Sequence, residues 1–313
     1  MVGKKPIVVV GSINIDLVAN TERIPVGGET ISGYDFEIHA GGKGANQAVA
    51  VGRLGYPVRM IGRVGTDSFA AQMRRSLTDA GIDVAGVATS DGPSGVAVIL
   101  VARSGENSIV VVPGANALVT PRDLDANIET IRSAGFVLAQ LEIPIETVEH
   151  LAMLCAREGV PLILDPAPAR ELPSSLLKHV AWFTPNETEA AFFAGSSASK
   201  AESGDAAQTA RELIAKGVDG VVLKLGARGS FISKDGANQS IASFPVRVVD
   251  TTAAGDCFNG AFAVGLSMEM QPAEAARFAS AAAAISVTRP GAQPSMPSLA
   301  EVESLLARDP EHA

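Results

Sequence analysis

An alternation of short apolar runs with helix-length amphipathic segments constrains this chain more than any other feature. From about residue 130 onward the runs Phe136 to Leu141, Pro161 to Leu164, Val180 to Phe183 and Val221 to Leu225 are separated by stretches of helical period such as Ile145 to Glu158 and Ala206 to Lys216. Strands apolar on both faces, each followed by a helix, suit a parallel sheet, because the crossover helices cover both of its sides. The expected fold is α/β, a doubly wound, mostly parallel sheet with helices on both faces. Ile7 to Val10 supplies its first strand. Open sheets of this kind bind ligands beyond the C-terminal ends of their strands, and Glu142, Asp165, Asn186 and Gly226 each stand just past such an end. Four such positions predict one cleft.

Two segments break the rhythm. Ser94 to Pro113 reads as two β-rich runs around a Ser-Gly-Glu-Asn turn, and Asp16 to Ala40 is rich in β formers and glycine turns. Together they predict a small β-sheet lid, residues 13–40 and 94–113, inserted in an α/β domain spanning 1–308; the competing expectation is a core hairpin of the main sheet. An apolar strand pair does not stay uncovered, so the lid is expected to close the cleft, to pair with a second copy of the chain as a homodimer, or both. Ser196 to Gly204 reads as a small-residue loop, and residues 309–313 as a disordered tail.

Composition narrows the partners. At 313 residues the chain is long enough for a large core, and 47% hydrophobic content excludes a disordered polymer. A net charge of −9 leaves no diffuse basic surface for nucleic acid or anionic lipid, and no run reaches the roughly 18 apolar residues of a membrane helix. The two cysteines, Cys155 and Cys257, form no metal-binding pattern and suit a reducing compartment, so a cytoplasmic location is expected. Lys4 and Lys5 precede too short an apolar run for a secretory signal.

The chemistry concentrates in Asp250-Thr251-Thr252-Ala253-Ala254-Gly255-Asp256-Cys257-Phe258. A small-residue turn entering a helix lets the amides of Ala253, Ala254 and Gly255 converge beside the positive end of the helix dipole, which makes an anion site. A carboxylate at that spot, Asp256, either caps the helix or takes a proton from a hydroxyl attacking phosphorus. Gly41-Gly42-Lys43-Gly44-Ala45-Asn46 opens another helix; it is not a phosphate-cradling Walker loop, since Gly44 stands where Ser or Thr is required after the lysine. Asn14 and Asp16 point one way from an extended chain. With Lys43, Asn46 and Glu142 they form a hydrogen-bonding pocket nearly free of aromatics, which favours a polyol over a nucleobase; turn roles for Asn14 and Asp16 are the alternative. Asn186 and Glu189 have capping-box spacing, and also suit outer-shell binding of Mg²⁺. Lys224-Leu225-Gly226-Ala227-Arg228-Gly229 reads either as a nucleotide-holding bend or as a simple hairpin turn.

Seven ordered motifs, GSINID, GGKGANQA, DPAPARELP, TPNETE, LGARG, VDTTAAGDCFNGA and VTRPGAQPS, resemble the ribokinase-type carbohydrate and nucleoside kinases from about Ile7 to Leu306. The resemblance implies transfer of the γ-phosphoryl group of ATP to the 5-hydroxyl of D-ribose, with Asp256 as base and an anion hole at Ala253 to Asp256. It implies that Asn14, Asp16, Gly42, Lys43, Gly44, Ala45, Asn46 and Glu142 hold the sugar. ATP would be held by Asn186, the Lys224 to Gly229 turn, Gly255, Asp256 and Ser280, with Mg²⁺ bound through water by Asn186 and Glu189. A potassium ion as monovalent activator would take oxygen ligands from Asp250, Thr252, Ser286, Arg289, Gly291 and Ser295. Kinases of this group acting on 2-deoxyribose, fructose or a nucleoside are the alternatives, and a sugar-binding regulator without catalysis is a further one.

Overall fold

A computed structural model describes residues 4–195 and 206–308. The small-residue loop and the tail expected at 196–204 and 309–313 lie outside the described residues. The strands are β1 (Ile7–Val10), β2 (Asn14–Thr21), β3 (Gly33–Gly41), β4 (Val58–Val64), β5 (Asp83–Thr89), β6 (Gly95–Ala102), β7 (Asn107–Val112), β8 (Phe136–Ala139), β9 (Leu162–Leu164), β10 (Trp182–Phe183), β11 (Gly220–Lys224), β12 (Ser230–Lys234) and β13 (Ala237–Ile241). Nine of them form one sheet in the order β13-β12-β11-β10-β9-β8-β1-β4-β5. It is parallel from β5 through β11, and the hairpin β12-β13 adds an antiparallel edge. The expected architecture is therefore present, with every apolar run named above in place as a strand.

Strand β1 explains why such runs are apolar throughout. Ile7 and Val9 join a core on one face with the helices Lys43–Arg53, Ala254–Ser267 and Pro272–Ser286. Val8 and Val10 join a second core on the opposite face with the helix Ile145–Glu158. All four are fully buried, so neither face tolerates a polar residue. Beyond β1 the strand order turns in opposite directions, toward β4 on one side and β8 on the other. β1 is thus the switch point of the sheet, and such sheets take ligands in the crevice beyond it.

The segments that interrupt the rhythm form a separate sheet of four strands, ordered β3-β2-β6-β7, and not a hairpin of the main sheet. Its central pair, β2 and β6, is parallel, with Asn14 opposite Gly95 and Asp16 opposite Ala97. On the face opposite Asp16, the residues Phe36, Ile38, Val98, Val110 and Val112 are exposed.

Among the described residues no helix is long and apolar enough to cross a membrane. Phe262 anchors the first core: it is fully buried, packs edge-on to Trp182 at 5.3 Å and stacks on Phe258 at 6.2 Å. Phe262→Ala is expected to lower unfolding stability by about 3–5 kcal/mol through lost burial and a residual cavity, read from urea melts; a loss below about 1 kcal/mol would mean that the helix does not rely on this contact.

Candidate active site

The switch-point crevice is lined first by the chain leaving β1. Ser12 donates to Glu142 Oε2 at 2.5 Å, the Lys43 amide reaches the same oxygen at 3.1 Å, and the Ala45 amide donates to the Ser12 carbonyl at 2.9 Å. This brings the start of the Lys43–Arg53 helix against the turn after β1 so closely that a Cβ on Gly44 would lie 2.7 Å from the carbonyl carbon of Gly11 and the amide nitrogen of Ser12. Gly42 precedes the helix at φ 88°, a left-handed conformation that favours glycine. The glycines of the motif thus serve close packing of backbone on backbone.

Lys43, Asn46 and Gln47 follow at helical spacings of three and four and share one face. Asn46 Nδ2 donates to Asp256 Oδ2 at 3.0 Å, and Gln47 Nε2 donates to Asp256 Oδ1 at 3.1 Å. Gln47 Nε2 also donates to Asp165 Oδ2 at 2.9 Å, and the other oxygen of Asp165 accepts from Lys224 Nζ at 2.9 Å. Gln140 Nε2 completes the set by donating to Gln47 Oε1 at 2.7 Å. Asp256 stands in the first turn of the Ala254–Ser267 helix, whose N-cap is Ala253 with no side-chain cap hydrogen bond. Capping therefore does not explain Asp256. Its two oxygens are spent on the facing helix.

Burial lifts the Asp256 carboxyl from 3.8 to about 6; Lys43 pulls the other way, Asp165 pushes up, and the two carboxamides pull down. At neutral pH the group is ionised yet more basic than an ordinary carboxylate. Burial disfavours the Lys43 ammonium, but Asp256, Asp165, Glu142 and Glu189 together outweigh it and hold the lysine charged. Asp16 is also lifted from 3.8 to about 6, first by burial and then by Glu142, with His39 opposing and Asp256 adding. The groups expected to hold the sugar, Asp16, Lys43, Asn46 and Glu142, thus surround the proposed base within one electrostatic cluster. Asn14 is buried beside them, its Oδ1 accepting from Asn116 Nδ2 at 2.7 Å.

Ala253 adopts φ 58°, a left-handed conformation that costs a non-glycine residue roughly 1–2 kcal/mol. The amide of Ala254 turns back to the Thr251 carbonyl at 3.2 Å, and Cys257 is the first to bond to a carbonyl at the helix start, that of Ala253 at 2.8 Å. Of the amides expected to form the anion hole, Ala254 thus takes part in the turn itself, while Gly255 and Asp256 occupy the second and third helical positions. Cys257 and Cys155 are buried, which pushes both thiols up to about 12 and leaves them packing residues.

The segments expected to hold nucleotide lie along the same sheet edge. Asn186 caps the Glu187–Ala194 helix: its Oδ1 accepts from the Glu189 amide at 2.9 Å, and Glu189 accepts from the Asn186 amide at 2.8 Å and from its Nδ2 at 2.9 Å. Lys224 ends β11, and Leu225 to Gly229 is the turn of the β11-β12 hairpin, with the Leu225 amide donating to the Gly229 carbonyl at 2.8 Å. Within it Gly226 adopts φ 56°, the Ala227 carbonyl accepts from Ser243 at 2.6 Å, and Arg228 pairs with Glu187. Ser280 is buried, 3.5 Å from Ser230 on β12.

Of the set expected to hold a monovalent cation, three residues meet directly. Asp250 accepts from the Thr252 amide at 2.9 Å, from the Thr252 hydroxyl at 2.6 Å and from the Gly291 amide at 2.7 Å. These contacts join the loop before Asp256 to the loop after the Pro272–Ser286 helix. Ser286 and Ser295 are buried with their hydroxyls on the carbonyls of Ala283 and Ala292, and the guanidinium of Arg289 pairs with Glu301.

Gln47, Gln140, Asn116 and Gln293 were missed as site residues. The spacing of three and four from Lys43 marks Gln47 on the sequence alone; the others come from remote segments and carry no such signal. The ionised Asp16 carboxylate costs the folded state free energy, because its raised value makes the folded form bind protons that the unfolded form has released. In Asp16→Asn that cost is gone. Relative to the wild type the variant is expected to gain on the order of 1–3 kcal/mol, developing as pH rises from about 4 to about 6 and constant above, in urea melts; a difference flat across that range would sink the assignment.

The model of the pfkB family carbohydrate kinases matches residues 4–299. A ribokinase of Haemophilus influenzae is 42% identical over 311 residues, covering 99% of this chain and 100% of that protein. A deoxyribokinase of Salmonella typhi is 37% identical over 306 residues, covering 96% and 98%. The structure of the Arabidopsis thaliana ribokinase complexed with ribose and ATP superposes with a TM-score of 0.89 at 36% identity, covering 98% of this chain and all of that one. With a family model matched almost end to end and relatives of this identity and coverage, the chain belongs to the pfkB family of carbohydrate kinases.

Proposed function

We propose that this protein is a ribokinase, transferring the γ-phosphoryl group of ATP to the 5-hydroxyl of D-ribose to give D-ribose 5-phosphate and ADP. Family membership makes it an ATP-dependent sugar kinase. The observation that carries the rest is the buried Asp256 carboxylate, raised to about 6 and clamped between Asn46 and Gln47 in a pocket of hydrogen-bonding groups. The likeness to the ribose- and ATP-bound Arabidopsis protein supports the choice of sugar and nucleotide.

In this reading Asp256 accepts the proton of the 5-hydroxyl as that oxygen attacks phosphorus, and Asn14, Asp16, Gly42, Lys43, Gly44, Ala45, Asn46 and Glu142 bind and orient the sugar. Of the stretch Ala253 to Asp256, the amides of Gly255 and Asp256 at the helix start serve the anion hole, with the helix dipole behind them, while the Ala254 amide is held by the Thr251 carbonyl. Asn186, the Lys224 to Gly229 turn, Gly255 and Ser280 hold ATP, and Lys224, tied to Asp165, stands ready for phosphate.

A kinase using ATP takes Mg²⁺ with the nucleotide, and the ion neutralises phosphate charge when bound. Asn186 Oδ1 and both oxygens of Glu189 are engaged in the capping box, so the pair fits the ion through water and not by direct ligation. The contacts of Asp250 with Thr252 and Gly291, which join two loops, support a potassium ion held there with further oxygen ligands from Ser286, Arg289 and Ser295. Potassium bound there would order the anion-hole loop. The two buried free cysteines accord with a cytoplasmic protein.

The deoxyribokinase relative keeps 2-deoxyribose as the second reading. The two sugars differ by one hydroxyl, and Asp16 is the acceptor we assign to it. ADP release from MgATP in potassium buffer is expected to be strongest with D-ribose, and weaker with 2-deoxyribose, fructose and adenosine. Asp256→Asn is expected to lower kcat by about 10²–10⁴ while sugar binding persists. A preference for 2-deoxyribose would replace the substrate, and near-normal turnover by a pure Asp256→Asn preparation would remove the base.

The exposed apolar face of the lid supports a homodimer built through this small sheet, since single chains rarely leave such a face uncovered. Phe36→Asp combined with Val110→Asp is expected to give a folded monomer by light scattering against a dimeric wild type. A monomeric wild type, or a variant that stays dimeric, refutes the interface.

A further inference from the structure

Asn46 and Gln47 both present nitrogen to Asp256, yet a carboxamide has the same shape with nitrogen and oxygen exchanged. Something must hold each in its productive sense. For Gln47 the holder is Gln140, which donates to its oxygen at 2.7 Å. For Asn46 it is Gln293, whose Nε2 donates to Asn46 Oδ1 at 3.3 Å, while Gln293 Oε1 accepts from the Ser76 hydroxyl at 2.7 Å. The sense of the chain runs one way. An ionised Asp256 can only accept, so Asn46 turns nitrogen toward it and oxygen away; Gln293 then turns nitrogen toward Asn46 and oxygen toward Ser76. Asn46 and Asp256 are 6% and 4% exposed, so each depends on protein partners. Ser76 belongs to the helix Ala70–Asp79 and, with Gln293 and Arg53, lines an open cleft of about 340 Å³.

We propose that Gln293, backed by Ser76, is a positioning residue for phosphoryl transfer, locking the Asn46 carboxamide so that its nitrogen faces the Asp256 carboxylate. Without the lock the Asn46 oxygen loses its buried partner, and only the repulsion between that oxygen and the carboxylate opposes inversion. Inversion puts its oxygen against the carboxylate, removes one of the two donors that favour the ionised base, and turns the wrong end of Asn46 toward a sugar hydroxyl. The charged groups around Asp256 are Lys43 on the facing helix, Asp165 beyond β9 with Lys224 behind it, and Asp16 on β2. A neutral change at Gln293 leaves all of them in place, so a shift in the titration of Asp256 reports on Asn46. The inference rests on Asp256 being the base.

The test is a double-mutant cycle with Gln293→Met, which keeps length without hydrogen bonding, and Asn46→Ala. Gln293→Met is expected to lower kcat about three- to tenfold, leave the KM for MgATP unchanged and move the acid limb of kcat/KM to higher pH. In the Asn46→Ala background the same change should have almost no further effect. Ser76→Ala, which alters only the far end, is expected to act in the same direction and more weakly. The carboxyl carbon-13 titration of Asp256, identified by its loss in Asp256→Asn, should rise in Gln293→Met. Additive losses in the cycle, or an unmoved titration, would reduce Gln293 to a packing residue and overturn the proposal. If wild-type protein turns over none of the sugars, the functional reading fails by itself, and the carboxyl titration still decides the positioning role.

Discussion

The burial of one carboxylate organises this molecule. Asp256 has no capping duty, yet the fold removes it from water and thereby raises the proton affinity that a base requires. A bare buried charge would be prohibitive. It persists because one turn of the facing helix brings two carboxamide donors and an ammonium to it, with Asn46 and Gln47 in contact and Lys43 close enough to act electrostatically. The same ammonium answers Glu142, Asp165 and Glu189, and Lys224 joins it by pairing with Asp165 and acting on Glu189, so two lysines offset carboxylates contributed by four separate elements. Removing Asp256 or Asp165 leaves donors stranded in a dry site, the carboxamides in the first case and Lys224 in the second.

The arrangement depends in turn on how closely the Lys43–Arg53 helix approaches the turn after β1. Glycines at 42 and 44 let backbone meet backbone where a methyl group would collide. That contact fixes the depth of the helix and hence the reach of Asn46 and Gln47. The helix beginning at Ala254 packs against it within the first core, so two helix starts converge on one crevice at the switch point of the sheet. The crevice is defined by strand order, and its chemistry by where the helices begin.

The small sheet follows a different rule. The main sheet is covered on both faces and reads as continuous apolar runs, whereas β2 carries Asn14 and Asp16 toward the pocket and a mostly apolar opposite face. Its strands therefore mix polar pocket residues with apolar ones in alternation. One face of this sheet turns Asp16 toward Glu142 and Asp256, and the other leaves apolar side chains exposed.

Much of this was legible in the order of residues. Apolar runs with intervening helical periods gave the strands from β8 to β11 their places, because burial on both faces admits no other composition. The Gly/Ala-rich approach to Asp256 marked a turn entering a helix, because small residues before a helix start are a local feature. Capping of the Glu187–Ala194 helix by Asn186 was likewise local and was borne out. The sequence could not tell whether Asp256 caps its helix; Asn46 and Gln47, some 210 residues away, occupy its two oxygens instead. Nor could it reveal the chain from Ser76 through Gln293 to Asn46, whose links span 217 and 247 residues. Local propensity and periodicity determine which elements form and which polar residues stand past the ends of the strands. Proton affinity and carboxamide orientation depend on burial and on partners from distant segments, and only the tertiary structure brings these together.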